Sequence, residues 1–205
     1  MCQTGIYQFI KRTIDAATAL ILLLLLSPLL FVFALAVRLK LGSPVFFCQS
    51  RSGRNGEAFT ILKFRTLTES RDINGRLLDD ESRMTPFGKL LRHWSLDELP
   101  SLLNILRGQM SFVGPRPFVV DYLDRYTNDE FMRHSVRPGL TGLAQVSGRN
   151  SLSWDEKLKL DVWYAQHASL GLDFRILMKT ILVVLRPSNV TAVGHASMPE
   201  FRPRA

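Results

Sequence analysis

The sequence predicts an α+β chain, mostly helical, with one globular domain behind an N-terminal membrane helix. Three observations predict it. Residues 16–37 carry no charged side chain. Two short β-type runs, 45–49 and 59–64, flank an Asn55-Gly56 pair. The remainder is punctuated by helix-start signals and helical leucine spacing. The natural division is residues 1–40 for the membrane helix and 41–205 for the domain.

The apolar block is long enough to cross a bilayer. Its 22 residues would form a helix about 33 Å long. It is long for a signal peptide, and no small-x-small cleavage site follows before Arg38. Ser27-Pro28 lies in its middle. Pro28 has no N–H and its ring crowds the carbonyl of Leu24, so the helix is expected to kink or break there. Ser27 can satisfy a backbone group freed by the proline. Lys11 and Arg12 precede the block, and Arg38 and Lys40 follow it. Basic flanks favour the cytoplasmic side. A straight span cannot satisfy both ends, whereas a re-entrant helix returning to the same face can. Asp15 falls four residues after Lys11 and three after Arg12, beside both on a helix. It is either a surface ion pair or an anchor that fixes the helix depth.

Val45–Gln49 and Phe59–Phe64 read as strands of a hairpin turning at Asn55-Gly56. Residues 69–83 are polar and mixed in charge, which predicts a loop or short helix. Thr85-Pro86-Phe87-Gly88 restarts structure. Leu96, Leu99, Leu102, Leu103 and Leu106 mark a helix ended by Gly108. Thr127 with Glu130 and Ser153 with Glu156 are capping-box pairs, the second opening a helix to about His167. A further helix, from about Asp173 to Leu185, is apolar enough to lie on a membrane surface. Between Val136 and Arg149 the Pro-Gly and Thr-Gly pairs predict irregular backbone.

The bulk charge points to an anionic partner. The chain has 205 residues, 26 Lys plus Arg against 18 Asp plus Glu, and a net charge of +8. Two cysteines, Cys2 and Cys48, are too few for a disulfide framework. Four scattered histidines form no zinc motif. Neither a dinucleotide fingerprint nor a P-loop is present. No helix-turn-helix, zinc finger or aromatic RNA-binding signature appears, so nucleic acid is not an expected partner.

Asp97-Glu98 is the pair most able to do chemistry. Ser95 and Glu98 satisfy the capping-box pattern, so the pair could simply start a helix. It could equally divide one task. Asp97 would attack an electrophilic phosphorus, and Glu98 would hold Mg²⁺ against a diphosphate. A diphosphate also needs cations. Arg116, held between Pro115 and Pro117, is the most constrained of them. Lys63, Arg65, Arg92, Arg137 and Arg149 are further candidates, each of which could also be a solvated surface charge.

Several ordered motifs then combine. Ser95-Leu96-Asp97-Glu98-Leu99-Pro100 is followed by Leu103-Asn104, Arg107-Gly108 and Met110–Pro117. Lys63-Phe64-Arg65-Thr66, Arg137–Gly142 with Ala144-Gln145-Val146, and Gly148-Arg149-Asn150 accompany them, as does Lys11-Arg12-x-x-Asp15 before the Ser27-Pro28 block. Together they resemble the bacterial sugar transferases, the small monotopic phosphoglycosyl transferases, over nearly the whole chain. The resemblance implies a re-entrant membrane helix anchored by Lys11, Arg12, Asp15, Ser27 and Pro28. It implies Asp97 as nucleophile, Glu98 as the Mg²⁺ ligand, and binding of the nucleotide-sugar by residues of the matching motifs, Gln145 included. It implies transfer of sugar 1-phosphate from a UDP-sugar to undecaprenyl phosphate, with release of UMP, on the cytoplasmic face of the bacterial inner membrane. Leu67 and Gln109 stand where many members have Met and Asp. The tail from Gly194 to Phe201 is similar to that of members using a UDP-linked diacetamido-trideoxyhexose. The sugar, the pathway and the oligomeric state, homodimer included, are not fixed by the sequence.

Two other function classes are compatible with the composition. A membrane-tethered, non-catalytic basic domain would bind acidic surfaces and tolerate Asp97→Asn. A glycosyl transferase that moves sugar without phosphate would release UDP instead of UMP.

Overall fold

The structure is a computed structural model that describes residues 5–148, 151–185 and 201. Helix α1 (Gly5–Leu41) holds the apolar block in 37 residues, a rod about 55 Å long. The helical backbone continues through Pro28, so the expected break is not an interruption of the helix. The reason lies beside the proline. Pro28 cannot donate to the Leu24 carbonyl, and the Ser27 hydroxyl donates to it instead at 2.8 Å.

One stripe of α1 is docked on the domain. Ala19 and Val37 are fully buried, and Leu22, Leu23, Leu26, Leu30, Phe33 and Ala34 pack in the same two clusters. Their spacings of three and four keep them on one face. Leu20, Ile21, Leu24, Leu25, Phe31 and Val32 on the other faces are exposed. Ala19 packs with Phe59, Ile61, Leu102, Ile105 and Met110, and Val37 packs with Phe64 and Leu91. The boundary near residue 40 therefore ends a helix but does not separate two cores.

Strands β1 (Phe46–Ser52) and β2 (Ala58–Phe64) form the expected antiparallel hairpin, in register from Phe46↔Phe64 to Ser52↔Ala58. Asn55 and Gly56 make the turn with positive φ of 55° and 80°. β1 runs three residues beyond the expected end, which places Arg51 in the strand opposite Phe59. After a polar segment come α2 (Asp80–Arg83) and α3 (Pro86–His93), the latter capped by Thr85, whose hydroxyl accepts from Gly88 N at 3.0 Å.

The leucine-spaced segment is not one α-helix. It is a 3-10 helix, Leu96–Ser101, followed by the short α4 (Leu102–Leu106). Then come β3 (Ser111–Val113), a 3-10 turn over Val120–Arg125, α5 (Asn128–Phe131) and a second 3-10 turn over Met132–Ser135. β4 (Gly139–Thr141), α6 (Leu143–Ser147), α7 (Trp154–His167) and α8 (Leu170–Leu185) complete the described chain. The capping boxes at Thr127 and Ser153 are both formed.

The segment expected to be irregular contains β4, paired in parallel with β3 through Ser111↔Gly139 and Val113↔Thr141. Glycine is what admits this pairing. A Cβ on Gly139 would stand 2.1 Å from Gly114 N, and one on Gly114 would stand 2.3 Å from Arg137 O. The backbones touch, and the contact fixes where Gly114-Pro115-Arg116-Pro117 begins.

The anchor residues have other partners than expected. Arg12 does not pair with Asp15; it donates to the carbonyls of Ile105 and Leu106 at 2.7 and 2.6 Å. A cation is favoured there because the carbonyls at the end of α4 carry partial negative charge. Lys11 is 3.9 Å from Asp15 but 2.7 Å from Asp173 of α8. Asp15 is 5% exposed and its carboxylate accepts from Phe112 N at 3.4 Å. The outward face of α8 is apolar and exposed at Phe174, Met178, Ile181 and Leu182. Phe201 packs among Tyr122, Tyr126 and Trp154. Arg149, Cys2 and residues 194–200 lie outside the described residues.

Candidate active site

The Asp97-Glu98 pair sits in the 3-10 helix, against the free edge of β2. Two buried side chains hold it there. Ser101 donates to Leu62 O at 2.8 Å. Asn104 accepts from Leu62 N at 3.1 Å and donates to Thr60 O at 2.7 Å. Together they satisfy backbone groups that an edge strand leaves open. This seam places Glu98 opposite Lys63 of β2.

The capping box expected between Ser95 and Glu98 is not formed. Ser95 is left-handed, φ 55° and ψ 23°, and makes no side-chain cap bond. Glu98 points across the seam instead. Its Oε1 accepts from Lys63 Nζ at 2.5 Å and from Arg116 Nη2 at 3.2 Å. Two charge-assisted bonds outweigh one bond to a backbone N–H. Ser95 is a non-glycine residue in strained backbone two positions before Asp97, a location where strain accompanies function.

The two carboxyls are pushed apart. Burial, then the charge of Glu98, raises Asp97 to about 6, against the pull of Lys63, Arg92 and Arg116. Burial also acts on Glu98, but Lys63 and Arg116 outweigh it and hold its carboxyl far below the ordinary range. The Asp97 carboxylate has no hydrogen-bond partner among the described residues. Glu98 therefore stays ionised as a fixed charge, while Asp97 keeps its lone pairs available.

A cavity adjoins Glu98, lined by Arg51, Lys63, Arg116, Met110 and Leu140 among others. Three cations around one carboxylate leave an excess of positive charge in a half-buried space. Arg116 is presented by the contact between Gly114 and Gly139. Its own carbonyl accepts from Arg133 Nη2 at 2.6 Å, and Arg133 is paired with Asp161 at 2.7 Å in full burial. Such an arrangement is chemically suited to an anionic group such as a phosphate.

The family model for bacterial sugar transferases matches residues 6–187. The chain belongs to that family. The transferase is 47% identical over 192 residues to the uncharacterized sugar transferase EpsL of Bacillus subtilis, covering 94% of this chain and 95% of that protein. It is 43% identical over 191 residues to the exopolysaccharide production protein ExoY of Rhizobium meliloti, covering 85% and 84%. It is 38% identical over 196 residues to the undecaprenyl-phosphate galactose phosphotransferase of Salmonella typhimurium, covering 87% of this chain and 41% of that protein.

Not every expected residue of the transferase reaches the site. Lys63, Glu98 and Arg116 do, and Arg92 acts on Asp97 through its charge while its Nε donates to Thr66 Oγ1 at 2.9 Å. Arg65 does not. It is 4% exposed and donates to the carbonyls of Leu41 and Ser43, clamping the end of α1. β2 ends at Phe64, so the alternation that would put Lys63 and Arg65 on one face stops between them. Arg137 donates to Gly108 O at 2.8 Å and lines a separate cavity. Gln145 donates to Leu140 O at 3.0 Å and does not line the dyad cavity. The structure adds Arg51, Ser101 and Asn104 to the site. Arg51 reads as a turn residue in sequence; only the longer β1 puts it in the cavity, where its side chain bonds Gln49 and Pro117 O.

Proposed function

We propose that the transferase moves sugar 1-phosphate from a UDP-sugar to undecaprenyl phosphate and releases UMP, through a phospho-sugar ester on Asp97. The observation that carries this reading is the unbonded Asp97 carboxylate beside a Glu98 locked by Lys63 and Arg116. Relatives named as undecaprenyl-phosphate galactose and N-acetylgalactosamine phosphotransferases support the substrate classes.

In the first step an Asp97 oxygen attacks the sugar-bearing phosphorus. The bond from that phosphorus to the bridging oxygen breaks, and UMP leaves with the electron pair. In the second step a phosphate oxygen of the polyprenyl carrier attacks the same phosphorus. The bond to Asp97 breaks, the carboxylate is restored, and the polyprenyl diphospho-sugar departs. Arg116, Lys63 and Arg51 hold the diphosphate and stabilise charge on the departing phosphate. The seam of Ser101 and Asn104 orients Asp97.

The donor set suits magnesium. Glu98 Oε1 takes both cations, which leaves its second oxygen for a metal, and Mg²⁺ accepts one or two carboxylates with waters and phosphates for the rest. When bound, it would neutralise the diphosphate and assist departure of the nucleotide. Glu98 is its proposed holder.

The packing of α1 supports a matching membrane arrangement. Its inward stripe is docked from Ala19 to Val37 on the same hairpin that bears Lys63. A perpendicular span would carry that charged site into hydrocarbon, at high cost. A re-entrant α1 whose two basic flanks stay on the cytoplasmic face of the inner membrane avoids it. The outward apolar faces of α1 and α8 meet the lipid.

The test is nucleotide release. Purified protein with Mg²⁺, undecaprenyl phosphate and a panel of UDP-sugars is expected to yield UMP with one donor. Release of UDP, or wild-type rates from Asp97→Asn, would overturn the mechanism.

A further inference from the structure

A second cavity shares no lining residue with the one beside Glu98. It opens between the first turns of α1, the hairpin tip and the segment before β4. Lys11, Arg54 and Arg137 line it with a single carboxylate, Asp15. Lys11 is already neutralised by Asp173. Arg54 and Arg137 are not: among the described residues neither has a carboxylate partner. Arg54 reaches only the amide of Gln8, at 3.2 Å, and its Nε is buried without an acceptor. Arg137 reaches only the carbonyl of Gly108. Arg12, packed over Gly108, also bonds carbonyls alone.

Guanidiniums half-buried together repel one another. Arg137 feels this directly: burial, then Arg54, then Arg12, lowers its affinity for its proton, against the smaller opposing pull of Asp15. Such a cluster is stable when an anion completes it. The position says which anion. Ile6 and Phe9 on the outer side of the same α1 turns are exposed and apolar, as is Phe174 next to the Asp173 that Lys11 grips. The cavity thus sits where apolar surface gives way to cationic surface, at the level of lipid headgroups.

We propose that this cavity binds the phosphate of a membrane lipid, with Arg54 and Arg137 as its ligands. The site is separate from the reacting centre. The proposal rests on the membrane reading of α1 and not on the Asp97 chemistry. One bound phosphate would tie α1, the hairpin tip and the segment before β4 together.

The experiment is native mass spectrometry of the protein extracted from membranes in mild detergent. The Asp97→Asn form is included so that turnover plays no part. One phospholipid should remain on each wild-type chain. Its retention should fall by about tenfold in Arg54→Gln/Arg137→Gln. Arg54→Gln alone removes only the Gln8 contact, keeps the fold by thermal melting, and should show a weaker loss that Arg54→Lys restores. Added undecaprenyl phosphate then separates two sources. Displacement of the retained lipid identifies the cavity as a seat for the carrier phosphate, and persistence identifies a headgroup site. A lipid-free wild type, or equal retention in the glutamine variants, overturns the proposal. Loss of UMP release with lipid retention intact would overturn the reaction and leave this site standing.

Discussion

Lys63 Nζ and Glu98 Oε1 lie 2.5 Å apart and join the hairpin to the 3-10 helix at the point where chemistry is proposed. Both side chains are largely buried, at 15% and 17% exposure, so the pair is worth more than a surface ion pair. A double-mutant cycle of Lys63→Met and Glu98→Gln should give a coupling of about 1–3 kcal/mol in denaturant unfolding. Glu98 is held below its ordinary value. Its contribution is complete above about pH 4.5 and is lost as pH falls toward its depressed folded value. Acid destabilisation in that window should shrink in Glu98→Gln.

Asp97 carries the opposite sign. Its folded value of about 6 is above the ordinary 3.8, so its protonation stabilises the fold at low pH and that stabilisation disappears as pH rises through about 6. Asp97→Asn should therefore melt higher than wild type near neutral pH, with the gap closing below about pH 4. In the same range the wild-type UMP-release rate should fall about tenfold per pH unit below 6 as the nucleophile is protonated. A flat rate profile across pH 6 would contradict the assignment.

Asn104 is 1% exposed and serves two backbone groups of β2. Asn104→Leu leaves both unsatisfied and should cost about 2–4 kcal/mol. Ser101→Ala removes one bond and should cost about 1 kcal/mol. Since both side chains aim the dyad, turnover should drop more than donor affinity in the Ser101 variant.

Arg133 and Asp161 form an ion pair with 1% and 2% side-chain exposure. Arg133→Met alone should cost about 3–5 kcal/mol by stranding a buried carboxylate. Adding Asp161→Leu should recover most of that stability. Activity should stay low in the double variant, because the Arg116 carbonyl has lost its donor. Full recovery of rate would separate Arg133 from the positioning of Arg116.

The re-entrant reading predicts which side of the membrane Cys2 occupies. A membrane-impermeant thiol reagent outside the inner membrane should leave Cys2 unlabelled in wild type. Labelling of the wild type would mean a span.

Local signals carried well from sequence to structure, and tertiary ones did not. The Thr127 and Ser153 boxes form from residues three apart in the chain, so each is complete within one helical turn. Ser95 and Glu98 present the same pattern and fail because Lys63, distant in sequence, competes for the carboxylate. The Asn-Gly hairpin was legible because its turn chemistry is local. β4 was not, since three glycine-rich residues in parallel pairing lack any period. Asp97, Glu98, Lys63 and Arg116 were readable as candidate residues. Arg65, Arg137 and Gln145 show that a motif position does not tell which way a side chain turns. Arg65 is taken by carbonyls at the end of α1, and Arg137 by the loop after α4.

The docked stripe of α1 has a geometric result. A catalytic head on a flexible tether samples many heights above a bilayer. Here the anchor runs along the head, Leu41 is clamped by Arg65, and the first strand begins at Phe46. On the proposed membrane reading, the altitude of the Asp97 carboxylate above the lipid would be a built-in dimension of the fold, and a carrier phosphate confined to the headgroup plane would meet it without a search in the third direction.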